Sequence, residues 1–361
     1  MIRVAIIGAT GIVGQQFLVG LDGHPWFKVT KLAASQRSAG KKYIDALRDD
    51  AGSLKWWCPE PIPAGVAEMV VEDAEEFDPT QVDLIFSAVD TAIAKKLEPV
   101  YAKTTPVVST ASAFRYEADT PILIGGVNMD HAQLIRVQQA NRGWKGFVVP
   151  KSNCTISGLT VSLKPILDTF GVRRVVMTSL QAMSGAGRTP GLSAMDMMEN
   201  VIPYIPGEEP KVEMEPQKIL GILKNGAIEP APFPISATCT RVPVLDGHLV
   251  CATVETEREA TPEAVKKAMV EFGKDFAALG LPSSPQHLIE VTDDPFRPQP
   301  RMDRERGGGM TTTVGRIRPD TVLGPNGIRY VCLAHNTKLG AAKGAIQTGE
   351  YLAKYFLNWQ V

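Results

Sequence analysis

The sequence predicts an α/β protein: an N-terminal, Rossmann-like doubly wound parallel sheet, then an α+β domain on a mostly antiparallel sheet. Three observations predict it. The continuous apolar run Val4–Ile7, the mark of a strand buried on both faces, feeds a glycine-rich turn and then an amphipathic pattern. Short apolar runs and helical patterns alternate up to Pro150, as they do in doubly wound sheets. Past Pro150 the texture changes to longer β-rich stretches, 172–182 and 236–256.

The chain has 361 residues, room for two domains and a large core, and 44% apolar with 21% charged residues is ordinary for a soluble globular protein. A net charge of -1 gives no electrostatic case for nucleic acid or an anionic membrane as partner. Five cysteines form no C-x-x-C pair and leave one over in any pairing scheme. That pattern implies a reducing compartment and no zinc site. Gly8 interrupts the N-terminus too early for a signal peptide, and no apolar run approaches membrane-spanning length. A cytosolic protein is expected.

In chain order, the first turn is Gly8-Ala9-Thr10-Gly11-Ile12-Val13-Gly14. A strand before it and a helix after it place backbone N–H groups where a pyrophosphate docks, although glycines also make plain tight turns. The second strand, Val29–Ala34, ends where a Rossmann fold presents an acid to the ribose. Ser35, Arg37 and Ser38 stand there instead, in a run rich in hydroxyls and cations. Such a run suits a 2′-phosphate, hence NADP over NAD, and reads otherwise as a solvated basic loop. Residues 43–67, with Trp56 and Trp57, form an irregular insertion with no assigned role. Strands are expected at 83–89, 106–109 and 122–126, and a helix at 92–102. Arg115, past a strand end, is either an anion ligand or a surface ion-pair member.

A domain boundary at Pro150 separates residues 1–150, completed by a last helix at about 336–361, from a second domain at 151–335 that carries the chemistry. In Ser152-Asn153-Cys154-Thr155, the cysteine opens a helical pattern. Unpaired N–H groups and the positive dipole end favour a thiolate there, so Cys154 is a candidate nucleophile; most free cysteines are simply small buried apolar residues. Ser184 and Gly185 mark either a close backbone approach to a ligand or an ordinary turn. His248 would complete the minimum Cys–His pair for covalent catalysis, and reads otherwise as a structural histidine. Helices are expected at 212–223 and 262–278, and strands at 288–291 and 328–334. The charged, glycine-rich run 301–309 reads as a solvated loop without a site.

Taken together, the glycine turn, Ser152-Asn153-Cys154, the run from Gln181 to Gly187, Glu215-Pro216-Gln217-Lys218, and Arg241 through His248 resemble those of aspartate-semialdehyde dehydrogenases, nearest the fungal and archaeal branch. The resemblance spans nearly the whole length. It implies NADPH-dependent reductive dephosphorylation of L-aspartyl 4-phosphate to L-aspartate 4-semialdehyde through a Cys154 thioester, and a homodimer or homotetramer, with 151–335 as the catalytic and dimerisation domain. By the same resemblance His248 would be the general acid/base and Gln181 would position the intermediate. Arg241 would pair with the substrate carboxylate and Glu215 with its ammonium group. Arg115 and Lys218, with Asn153 nearby, would hold the phosphate, and Asn336 would meet the nicotinamide end of the cofactor. One departure is Ser109-Thr110, where the family often has Ser-Asn. Rival readings with the same mechanism are a malonyl-CoA reductase and an N-acetyl-glutamyl-phosphate reductase; Glu215 speaks against malonate, which has no ammonium group. Rivals of another class are a Cys–His hydrolase and a non-catalytic NADP(H)-binding regulator.

Overall fold

The computed structural model describes residues 1–187 and 192–361. The chain divides into two units, one of residues 1–123, 130–151 and 341–361, the other of residues 124–129 and 152–340.

In the first unit β1 (Ile2–Ile7), β2 (Phe27–Ala34), β3 (Val71–Asp73), β4 (Leu84–Ser87), β5 (Val107–Ser109) and β6 (Val148–Pro150) form a parallel sheet of order β3-β2-β1-β4-β5-β6. The chain runs outward from β1 one way, then returns to β4 and runs the other way. The strand order therefore reverses between β1 and β4, the place where doubly wound sheets open a crevice for ligands. Ala5, Ile7, Ala33, Ile85, Val107 and Val148 pack with Tyr101 and Phe114 in one core cluster. The helix Ala342–Tyr351, continued by a π-helical turn at Leu352–Phe356, belongs to this unit, and its Ile346 Cδ1 sits where a side chain on Gly20 would point. Residues 122–126 are not a strand. Ile122, Leu123 and Ile124 are buried, which accounts for the apolar pattern, but β5 gives its edge to β6 instead. The three-residue β3 is too short to have shown a pattern.

The second unit carries β7 (Arg174–Gln181), β8 (Ile222–Lys224), β9 (Ala227–Glu229), β10 (Ile235–Arg241), β11 (His248–Glu255), β12 (Ile289–Thr292), β13 (Thr312–Pro319) and β14 (Gly327–Ala334). Its six-stranded sheet has order β10-β7-β11-β14-β13-β12. The outer pairs β10/β7 and β13/β12 are parallel and the three inner pairs antiparallel. Along β7 Val175, Met177, Ser179 and Gln181 are buried while Arg174, Val176 and Thr178 are exposed, so one face is covered and the other bare. The expected helix at 212–223 starts earlier, at Glu208, and ends at Ile219; β8 and β9 then turn at Asn225-Gly226, both at positive φ, as a tight hairpin requires. The helix expected over 262–278 breaks into Pro262–Glu271 and Lys274–Ala277. Among the described residues no helix is long and apolar enough to cross a membrane.

Candidate active site

In the first unit Gly8 to Gly11 form the turn between β1 and the Ile12–Leu21 helix, whose first turn carries Ile12, Val13 and Gly14. Gly8 and Ala9 donate to the carbonyl of Ala33 at 2.8 and 3.2 Å, tying the turn to the end of β2. A Cβ on Gly14 would meet the Gly8 carbonyl oxygen at 2.2 Å, so only glycine lets the helix start this close to the turn. No side chain caps the helix: its N-cap is Gly11, and the first-turn N–H groups around Ile12 and Val13 are left for an outside acceptor. That is the geometry an anion takes at a helix N-terminus, and it fits the pyrophosphate of a dinucleotide. Ser35, Gln36 and Arg37 are exposed just past β2, Ser38 turns back to donate its N–H to the Ser35 carbonyl at 2.8 Å, and Arg37 has no carboxylate partner among the described residues. The insertion has a clear structural task. Tyr43 donates its hydroxyl to the Ala9 carbonyl at 2.9 Å, and the Gln15 amide ties Thr10 and Lys55 carbonyls to the Trp57 N–H. Arg115 is buried in the same unit, donating to the carbonyls of Lys151 at 2.8 Å and Thr110 at 3.2 Å.

In the second unit Cys154 is the first residue of the Cys154–Phe170 helix. Asn153 caps that helix: its Oδ1 accepts from the N–H groups of Thr155 at 2.8 Å and Ile156 at 3.4 Å. The remaining donors of Asn153 go to two buried acids on the Glu208–Ile219 helix, its N–H to Glu215 Oε2 at 2.8 Å and its Nδ2 to Glu208 Oε1 at 2.9 Å. Lys218 is half-buried on that helix. Cys154 Sγ lies 3.3 Å from His248 Nε2. It is partly exposed, unlike Cys239 and Cys332, whose thiols burial pushes up to about 11 and about 12.

Strand register brings His248 there. It begins β11, between β7 and the end of β14, paired with Ala334. The Ala182 N–H donates to His248 Nδ1 at 3.1 Å, so the ring faces the sulfur through Nε2. Burial first, then the charge of Arg241, pulls its pKa from 6.5 down to about 3, and the imidazole is neutral. Arg241 is 5% exposed and donates Nη1 to the Ala182 carbonyl at 2.7 Å, yet no carboxylate among the described residues pairs with it. A Cβ on Gly185 would meet Arg241 Nη1 at 2.9 Å and His248 Nε2 at 3.0 Å, so glycine keeps that space open. Gln181 donates to Ser179 Oγ at 3.2 Å and Glu208 Oε1 at 3.1 Å. Asn336 accepts from the Gly247 N–H and donates to Ser184 Oγ, both at 2.8 Å. One unit thus gathers Cys154, His248, Gln181, Arg241, Asn153, Glu215, Ser184, Gly185 and Asn336.

Sequence reasoning missed Glu208, which joins Asn153 and Gln181. A signal existed: Glu208 and Glu215 are seven residues apart on one helix, hence on one face. No metal-ligand cluster occurs among the described residues.

Residues 3–135 match the family model for the semialdehyde dehydrogenase NAD-binding domain, and residues 163–339 that for the semialdehyde dehydrogenase dimerisation domain. The chain is 43% identical to the aspartate-semialdehyde dehydrogenase of Methanothermobacter thermautotrophicus over 98% of this chain and 99% of that one. It is 46% identical to that of Archaeoglobus fulgidus over 97% and 98%. Among solved structures it is similar to aspartate-semialdehyde dehydrogenase with NADP from Candida albicans, at a TM-score of 0.87, 38% identity and 98% coverage of both chains.

Proposed function

The chain belongs to the aspartate-semialdehyde dehydrogenase family, and on that premise we propose how its own residues perform the reaction. The reaction is the NADPH-dependent reductive dephosphorylation of L-aspartyl 4-phosphate to L-aspartate 4-semialdehyde, and its reverse, in the pathway to lysine, threonine, methionine and isoleucine. The observation that carries the proposal is the 3.3 Å contact between Cys154 Sγ and His248 Nε2 at the start of a helix.

Cys154 attacks the acyl carbon as a thiolate. The C–S bond forms, the C–O bond to phosphate breaks, and a thioester remains on the sulfur. When bound, the nicotinamide supplies the hydride for reduction of that thioester, or takes one up in the reverse direction. The Gly8–Gly11 turn and the first helical turn through Gly14 would hold its pyrophosphate, and Ser35, Arg37 and Ser38 would hold the 2′-phosphate. Because the Ala182 N–H occupies Nδ1, the single proton of neutral His248 sits on Nε2. His248 therefore works as a hydrogen-bond donor, first to the thiolate, then to the oxygen that gains charge at the attacked carbon. When the C–S bond breaks, the returning thiolate meets the same donor. Gln181 steadies that carbon's substituents. The buried guanidinium of Arg241, lacking a carboxylate, takes the substrate's, and Glu215 its ammonium group. Arg115 and Lys218 would take the phosphate, with Asn153 nearby and its donors committed to Glu215 and Glu208, and Asn336 would meet the nicotinamide end. The matched dimerisation domain and the bare sheet face at Val176, Thr178 and Cys251 support a homodimer. A cytosolic setting is supported by five cysteines, none in a disulfide.

The test is an assay with L-aspartate semialdehyde, NADP+ and phosphate. NADP+ reduction should require phosphate for turnover, and withholding phosphate should leave an acyl adduct on Cys154 in the intact mass. Sustained reduction without phosphate, or an unmodified Cys154, would overturn the proposal.

A further inference from the structure

The run 301–309, without a role in the sequence reading, meets the site on two sides. Arg304 donates to the Asp246 carbonyl at 3.3 Å, directly before Gly247-His248. Glu305 reaches the turn that follows β14: its Oε1 is 3.2 Å from His335 Nε2, and its Oε2 accepts from Lys338 Nζ at 2.7 Å. The same turn is stitched again by the Leu339 N–H to the Gly309 carbonyl at 3.2 Å and the Gly340 N–H to the His335 carbonyl at 3.0 Å. The residue inside the Glu305 bridge is Asn336. Its amide holds Gly247 on one side and Ser184 on the other, at 2.8 Å each. Those neighbours adjoin His248 and Gly185, and Gly185 borders both the His248 ring and Arg241.

We propose that Glu305 is a positioning residue for the reaction: by bridging His335 and Lys338 it fixes Asn336, whose amide clamps the two segments that aim His248 Nε2 at Cys154. The proposal rests on the reading of Cys154 and His248 as the reacting pair. Its chemistry is economical. A carboxylate is the one side chain that accepts from a ring N–H and an ammonium at once through two oxygens, and the His335 hydrogen bond leads in holding Glu305 down at about 2, ionised throughout the working range. The base of the run is itself fixed, since Gln299 donates its N–H to Asp303 at 2.7 Å and Arg297 pairs with the same carboxylate.

The expected signature is a split between kcat and KM. In Glu305→Ala, kcat should fall about tenfold, while KM for aspartate semialdehyde, set by Arg241, stays within about twofold. Glu305→Gln, keeping one acceptor, should fall between Ala and wild type, and Lys338→Met should lower kcat by a smaller factor than Glu305→Ala. Unchanged kcat in all three variants would overturn the proposal. So would a rise in KM matching the fall in kcat, or Glu305→Gln no better than Glu305→Ala despite a wild-type melting temperature. A wild-type protein without phosphate-dependent turnover would instead sink the reading beneath it, so the two failures are distinguishable.

Discussion

Two turns in this molecule share one plan, a strand leading through a tight turn into a helix N-terminus, and they treat that terminus in opposite ways. After β1 the N-cap is Gly11, no side chain bonds the first-turn amides, and the positive end is left for a ligand's charge. After β6 the N-cap is Asn153, whose carbonyl takes two of those amides, while its donors go to Glu208 and Glu215. A site for a diffusible phosphate group must keep its donors unsatisfied. A site built around a resident sulfur gains from having every neighbour fixed, since a small misplacement of a reacting atom is costly.

The sharpest test is removal of the sulfur. Cys154→Ala should lower kcat by roughly three orders of magnitude or more, with NADPH affinity unchanged; fluorescence titration showing lost NADPH binding would break the division of labour between the turns. Next, Gly14→Ala should close the open turn. The new methyl would need the space of the Gly8 carbonyl, 2.2 Å away, and NADPH binding should weaken about a hundredfold by titration calorimetry. Arg37→Ala should weaken NADPH about tenfold and leave NADH within about twofold, because only the first carries a 2′-phosphate; equal losses would move that contact elsewhere. The smallest effect belongs to the filled cap. Asn153→Ala should cost about 1–2 kcal/mol in urea unfolding of the second unit, through the lost cap and two stranded partners. No change there would mean that water replaces the amide and that the cap is not what holds the nucleophile's turn.

The same contrast explains what was legible in the sequence. The open turn is local: strand, glycine spacing and helix lie within residues 4–21, and periodicity alone exposes them. The filled turn is assembled from afar. His248 is 94 residues from Cys154, Glu215 is 62 from Asn153, and nothing in spacing brings them together. Resemblance to a family named those residues, but it passed over Glu208, Glu305 and the bracing task of residues 43–57, whose contacts are carried by backbone carbonyls and buried amides. The false strand at 122–126 has the opposite cause. Burial produced its apolar pattern, and pairing, which makes a strand, leaves no local trace.

Gln15 and Tyr43 have one more consequence. Because the glycine turn after β1 is tied to Lys55 and Trp57 through Gln15, and to Tyr43 through the Ala9 carbonyl, the stretch from 43 to 57 is not ornament that a shortened homologue or an engineered chain could shed. Trimming it would loosen the turn proposed to take the pyrophosphate, and the damage should register as a failure to retain dinucleotide while the residues around Cys154 stay in place.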